Sequence, residues 1–152
     1  MMQAQTLETS PCSSSDELAL ARVPSEHVAL VAPLVTPLLA RALRRTQGRT
    51  SVESVLEGAL ENRYQLWVIA STVGDLLAAL VTEVVEYGDG SKTCVIGLLG
   101  GVAMGRWMHL MSELEQWARE AGCTRLEVHG RRGWARMLKD YQQPFVVLRK
   151  EL

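Results

Sequence analysis

The residues best placed for chemistry form the run Gly100-Gly101-Val102-Ala103-Met104-Gly105, which passes directly into an amphipathic segment beginning at Arg106 and Trp107. A glycine-rich turn that opens a helix leaves the first backbone N–H groups unpaired and facing the loop, an arrangement that attracts an anion such as phosphate. Arg106 and His109 stand in the first turn, with no acidic residue before Glu113. Basic side chains there oppose the helix dipole unless an anion offsets them. The plain alternative is a tight strand-to-helix turn with an exposed arginine. A second basic group, Arg131, Arg132 and Arg136, has two similar readings, an anion contact or a solvated helix face. The three cysteines, Cys12, Cys94 and Cys123, form no CxxC pair and suggest neither a disulfide framework nor a metal site. Cys94 lacks a histidine partner and reads as a buried, inert thiol.

These residues need a frame. Trp107, Leu110, Met111, Leu114, Trp117, Ala118 and Ala121 recur at helical spacing, and Gly122 supplies the stop. Upstream, Leu66–Ala70, Leu76–Tyr87 and Lys92–Leu99 are apolar, β-branched runs separated by Gly74-Asp75 and Gly88-Asp89-Gly90. Strands joined this closely form an antiparallel meander, because parallel neighbours need longer crossovers. Downstream, the pattern predicts a strand over Arg125–His129, a helix over Arg131–Asp140 and a closing strand over Phe145–Glu151.

The first half opens with a strand over Leu18–Val23, ended by Pro24. Between His27 and Arg45 the pattern is helical, but Pro33 and Pro37 lack N–H donors and are expected to break it. Thr36-Pro37 then begins a second helix, whose basic end (Arg41, Arg44, Arg45) suits a helix C-terminus or an anion. Thr50 and Glu53 have capping-box spacing ahead of an apolar face formed by Val52, Val55, Leu56, Ala59 and Leu60.

The chain's 152 residues, 47% of them hydrophobic, suit one domain with a full core. That domain is expected over residues 17–152, behind a polar tail over 1–16. Sixteen basic and 17 acidic residues leave a net charge of -1, which argues against a nucleic-acid or polybasic membrane binder. No apolar run approaches the roughly 20 residues of a membrane span, so a soluble, cytoplasmic protein is expected. The elements describe an α/β fold with a mixed sheet covered on both faces.

This order, with the glycine loop between the fourth strand and a long helix, resembles the GNAT superfamily of acyl-CoA-dependent N-acyltransferases over Leu18 to Leu152. The resemblance implies a mostly antiparallel sheet whose fourth and fifth strands splay apart, with pantetheine in the gap and pyrophosphate on the loop. The matching residues are Leu99, Gly100, Gly101, Val102, Ala103, Met104, Gly105 and Arg106, with Arg132 toward the 3′-phosphate. The family pattern is Arg or Gln, two residues, Gly, one residue, then Gly or Ala. Ending it on Gly105 puts Gly100 at the Arg/Gln position and Ala103 at the first Gly. A second family signature, Asn, two residues, Ala, Leu-Tyr and a later Gly-Phe, meets the segment from His129 to Tyr141. Setting Asp140-Tyr141 at Gly-Phe places His129 at Asn and Arg136 at the Tyr that protonates the departing thiolate. Matching Ala135 instead puts Lys139 there, and neither register supplies a phenol.

Transfer to an amine needs a proton acceptor and a donor for the thioester oxygen. Glu83 and His129 are the nearest bases, and Gly97 marks a bulge that opens the fourth strand. The implied donor is acetyl-CoA, the acceptor an unidentified amine, and the assembly a homodimer, with no metal. A second reading is a non-catalytic GNAT-fold protein acting through its surface. The chain also looks like short GNAT-like proteins of tailed phages, which suggests a component of a phage particle.

Overall fold

Strand β1 (Leu18–Val23) pairs antiparallel with β2 (Gln65–Ser71), β2 with β3 (Leu76–Glu86), and β3 with β4 (Lys92–Gly101). Strand β5 (Arg125–Val128) joins β4 in parallel, giving the order β1-β2-β3-β4-β5. This mixed α/β fold is a computed structural model that describes residues 17–45 and 50–152. The expected polar tail, with Cys12, lies outside the described residues.

Alternation along the strands divides the core. Ala79, Val81 and Leu98 face helices α1 (Val28–Leu43) and α2 (Val52–Leu60), meeting Val35, Leu39 and Val55. Leu80, Trp67 and Ile96 face the other way, meeting Trp107, Leu110 and Leu114. That second layer is built from α3 (Met104–Trp107), a 3-10 turn (Met108–Leu110) and α4 (Met111–Glu120). Gly122, at φ 87°, ends α4 in the left-handed conformation that glycine adopts without strain. A buried polar chain ties the central strands: Trp67 Nε1–H donates to Thr82 Oγ1 at 2.9 Å, and Thr82 O–H donates to Gln65 Oε1 at 2.8 Å.

The structure corrects several boundaries. Helix α1 runs unbroken through Pro33 and Pro37. The missing bonds would have joined Pro33 to Ala29 and Pro37 to Pro33, and all three residues are exposed, so water can reach the freed carbonyls. The buried side chains Val28, Val35, Leu39 and Leu43 hold the helix to the sheet. The helical stretch Ser25–Leu43 is therefore long and apolar enough to match a membrane span by composition, contrary to expectation, yet one face packs into this core.

Ser51, rather than Thr50, caps α2, accepting the Ser54 N–H at 3.1 Å. The expected helix over 131–140 is the short α5 (Gly133–Met137). No strand forms over Phe145–Glu151. Phe145, Val146, Val147 and Leu148 are all exposed, Leu148 at 92%, because a strand needs a paired neighbour and this segment is docked on none.

Candidate active site

Strands β4 and β5 begin paired and then part. Their register runs from Thr93 opposite Arg125 to Ile96 opposite Val128, and His129 N–H adds a last bond to Ile96 O at 3.0 Å. At the next residue β4 changes register with β3. Val81 faces Leu98 and Thr82 faces Ile96, which leaves Gly97 as the extra residue. A bulge turns the strand, and one with no Cβ leaves the parted edge accessible.

Beyond this point lies a cleft of 290 Å³. Its walls are Ile96 to Gly101 of β4, Val128 at the end of β5 and His129 to Arg131 after it, Met104, Trp107 and Trp134, with Arg41 and Ala42 from the end of α1 and Arg45 from the turn beyond it. The charged or titratable lining residues are Arg41, Arg45, Arg131 and His129, and no Asp or Glu lines the cleft among the described residues.

The glycine run splits into two parts with different duties. Gly100 and Gly101 belong to β4 rather than to the loop. A Cβ on Gly100 would collide with Leu38 O and approach Ala42, and one on Gly101 would strike Ala78 and Leu77 O. Both glycines let neighbouring backbone come close. The turn proper is Val102-Ala103. Val102 N–H donates to Leu77 O at 2.9 Å, and Val102 O accepts the Trp107 indole N–H at 2.8 Å.

Ala103 then adopts φ 53°, ψ 44°, the left-handed region that glycine occupies more easily. Arg106 N–H donates to Ala103 O at 2.9 Å, while the N–H groups of Ala103, Met104 and Gly105 find no acceptor among the described residues. Around Gly105 there is open space where a side chain would stand.

Of the candidate bases, His129 lines the cleft. Its Nε2 is 3.2 Å from Glu127 Oε2, and its ring is largely exposed. Glu83 is exposed on β3 opposite Val95, outside the cleft lining. Leu99, Gly100, Gly101 and Met104 line the cleft; Val102, Ala103, Gly105 and Arg106 continue the same turn. Arg131 lines the cleft, whereas Arg132 is exposed at the start of α5 and does not.

Tyr141 offers no free phenol, because its O–H donates to Glu115 Oε1 at 2.8 Å and burial, with the carboxylate beside it, pushes its pKa up. Burial likewise pushes the Cys94 thiol up to about 12, with Cys123 adding to the effect, so it is no nucleophile at neutral pH. Sequence reasoning did not place Arg41, Arg45 or Trp134 in the site. The basic end Arg41, Arg44, Arg45 was open to a helix C-terminus or an anion, and only the packing of α1 on β4 brings Arg41 and Arg45 to this cleft.

A sheet whose fourth and fifth strands part at a bulge, with an amide-lined turn at the end of the fourth, is the frame of the GNAT acetyltransferases, and this chain has that fold. No protein-family pattern matches the sequence, and no curated protein matches it. Solved structures do match. An aminoglycoside acetyltransferase from an uncultured soil metagenomic sample, in complex with sisomicin, is 15% identical with a TM-score of 0.65, covering 89% of this chain and 96% of its own. A ribosomal-protein-alanine N-acetyltransferase from Brucella melitensis biovar Abortus 2308 is 12% identical with a TM-score of 0.64, covering 90% and 99%. A GNAT family acetyltransferase of Staphylococcus aureus subsp. aureus USA300_TCH1516 is 10% identical with a TM-score of 0.61, covering 89% and 98%.

Proposed function

We propose that this protein is an acetyl-CoA-dependent N-acyltransferase. The observation that carries the reading is the parting of β4 and β5 at Gly97 into a cleft walled by cations, with a turn of acceptor-free N–H groups at its end. The residues fit an acyl-CoA. The amides of Ala103, Met104 and Gly105 would hold the pyrophosphate, and the β4 edge from Gly97 to Leu99, unpaired on the β5 side, would hold the pantetheine amides. Arg132 stands beside the cleft residue Arg131 and would serve the 3′-phosphate from solvent.

In the transfer, the amine nitrogen bonds to the acyl carbon, the carbon–sulfur bond breaks, and His129 takes the proton released by the amine. Glu127, 3.2 Å from its ring, orients the imidazole. A backbone N–H of the parted β4 edge would polarise the thioester oxygen. With no tyrosine lining the cleft among the described residues, the departing thiolate takes its proton from water. Such a general acid contributes about 10²–10⁴-fold, so a slow enzyme is expected. Glu83 remains a second base only for an acceptor reaching the α1 side of β3.

Calorimetry with acetyl-CoA and CoA tests the reading. Binding to the wild-type chain is expected, and absence of both heat and thermal shift at millimolar ligand removes it. The lack of a tyrosine in the cleft lining among the described residues supports a second reading, a non-catalytic GNAT-fold protein, for which we propose a place in a phage particle. Recovery at fixed stoichiometry in a purified particle would favour that reading, and turnover of acetyl-CoA with an amine would exclude it.

We further propose a homodimer, supported by the exposed apolar segment Phe145–Leu148 and the open outer edge of β5. Light scattering at micromolar concentration is expected to give twice the chain mass, and a monomer would refute it.

A further inference from the structure

The turn lacks the side-chain donor that the resemblance leads one to expect at position 100, and the structure shows why none can be there. Helix α1 crosses β4 so closely that a Cβ on Gly100 would collide with Leu38 O, so neither an arginine nor a glutamine fits. The same crossing carries the end of α1 into the cleft, where Arg41 of its last turn and Arg45, in the turn just past its end, join Ala42 and the β4 residues Gly97 to Gly101 in the wall. Neither arginine forms an ion pair among the described residues. With Arg131 also in the lining and no carboxylate lining the cleft among the described residues, three arginines border one cleft. Like charges held together repel, and a phosphate among them removes that repulsion while accepting charge-assisted hydrogen bonds.

We infer that Arg41 and Arg45 are the side-chain donors to the pyrophosphate of the acyl-CoA, supplied from the end of α1 and the turn that follows it in place of the side chain that Gly100 lacks. The inference rests on the acyl-CoA reading above. The tight crossing at Gly100 and the arginines one turn further on are two results of one packing choice. Guanidinium suits the task because its planar fork can grip two phosphate oxygens at once.

The test is calorimetry of wild type, Arg41→Gln, Arg45→Gln and the double variant with three probes: CoA, 3′-dephospho-CoA and pantetheine. Each single variant is expected to weaken CoA about tenfold, the double variant more, with a shallower salt dependence. The loss is expected to be the same with 3′-dephospho-CoA and absent with pantetheine, which has no phosphate. CoA affinity of the double variant within about twofold of wild type overturns the inference. So does an equal loss with pantetheine, or a loss seen with CoA but not with 3′-dephospho-CoA, which would put the arginines on the 3′-phosphate. Unchanged melting temperatures exclude a folding defect. If wild type itself binds no CoA, the proposed function has failed, an outcome distinct from variants that match a binding wild type.

Discussion

Replacing Ala103 with glycine should stabilise the protein, although glycine in a folded chain ordinarily costs stability. Ala103 sits at φ 53°, ψ 44°, held on one side by the Val102 N–H bond to Leu77 O and the Trp107 indole bond to Val102 O, and on the other by the Arg106 N–H bond to its own carbonyl. A residue with a Cβ pays about 1–2 kcal/mol in that region. Glycine removes the strain but adds about 0.4–1 kcal/mol of unfolded-state freedom. The difference favours Ala103→Gly by about 0.5–1 kcal/mol. Urea unfolding should show a higher midpoint at unchanged m, and the melting temperature should rise by about 2–3 °C. The same substitution clears the Cβ from beside the free amides, so CoA affinity should hold or improve. A loss of about 0.5 kcal/mol or more would refute the reasoning, because that is what glycine costs where φ is ordinary.

Three further outcomes follow from the packing. Thr82→Val keeps the shape but leaves Trp67 Nε1–H and Gln65 Oε1 without their shared partner, and urea unfolding should register a loss of about 2–4 kcal/mol that Thr82→Ser largely avoids. Gly100→Ala forces α1 off β4 and should lose about 1–3 kcal/mol, whereas Gly105→Ala, facing open space, should leave stability level or slightly higher. Burial holds the Cys94 thiol neutral up to about pH 12 against 9.0 in the open chain. Its contribution is therefore complete below pH 9 and falls as pH rises towards 12, by at most about 1.4 kcal/mol per unit. Cys94→Ala should lose less stability than wild type between pH 8 and pH 10.5, and equal losses would contradict the burial argument.

The meander β2-β3-β4 was legible because β-branched runs divided by glycine turns admit few other arrangements, and the Gly97 bulge was legible because a glycine inside such a run has few other uses. Other features depend on what lies opposite. Pro33 and Pro37 looked like breaks until their four-residue spacing proved to put both missing bonds on the exposed side of α1. Phe145–Glu151 has the composition of a strand, but composition says nothing about whether a partner edge is occupied. Gly100 and Gly101 looked like loop because sequence cannot show that a helix backbone and a neighbouring strand press on them. Within the site, His129 and the turn could be found from local pattern. Arg41 and Arg45 were legible as a basic end open to an anion but not as part of this cleft, since their distance along the chain from the turn hides the crossing that joins them.

The placement of the four tryptophans has an optical consequence. Trp107 and Trp134 line the cleft, whereas Trp67 and Trp117 stack edge to face at 4.9 Å in the layer below β2, away from the cleft walls. Roughly half of the intrinsic emission should therefore sense an occupant, and the other half should sense only the integrity of the core. A titration followed by fluorescence would thus carry its own internal standard, with filling of the cleft and loss of the fold written in the same spectrum by different rings.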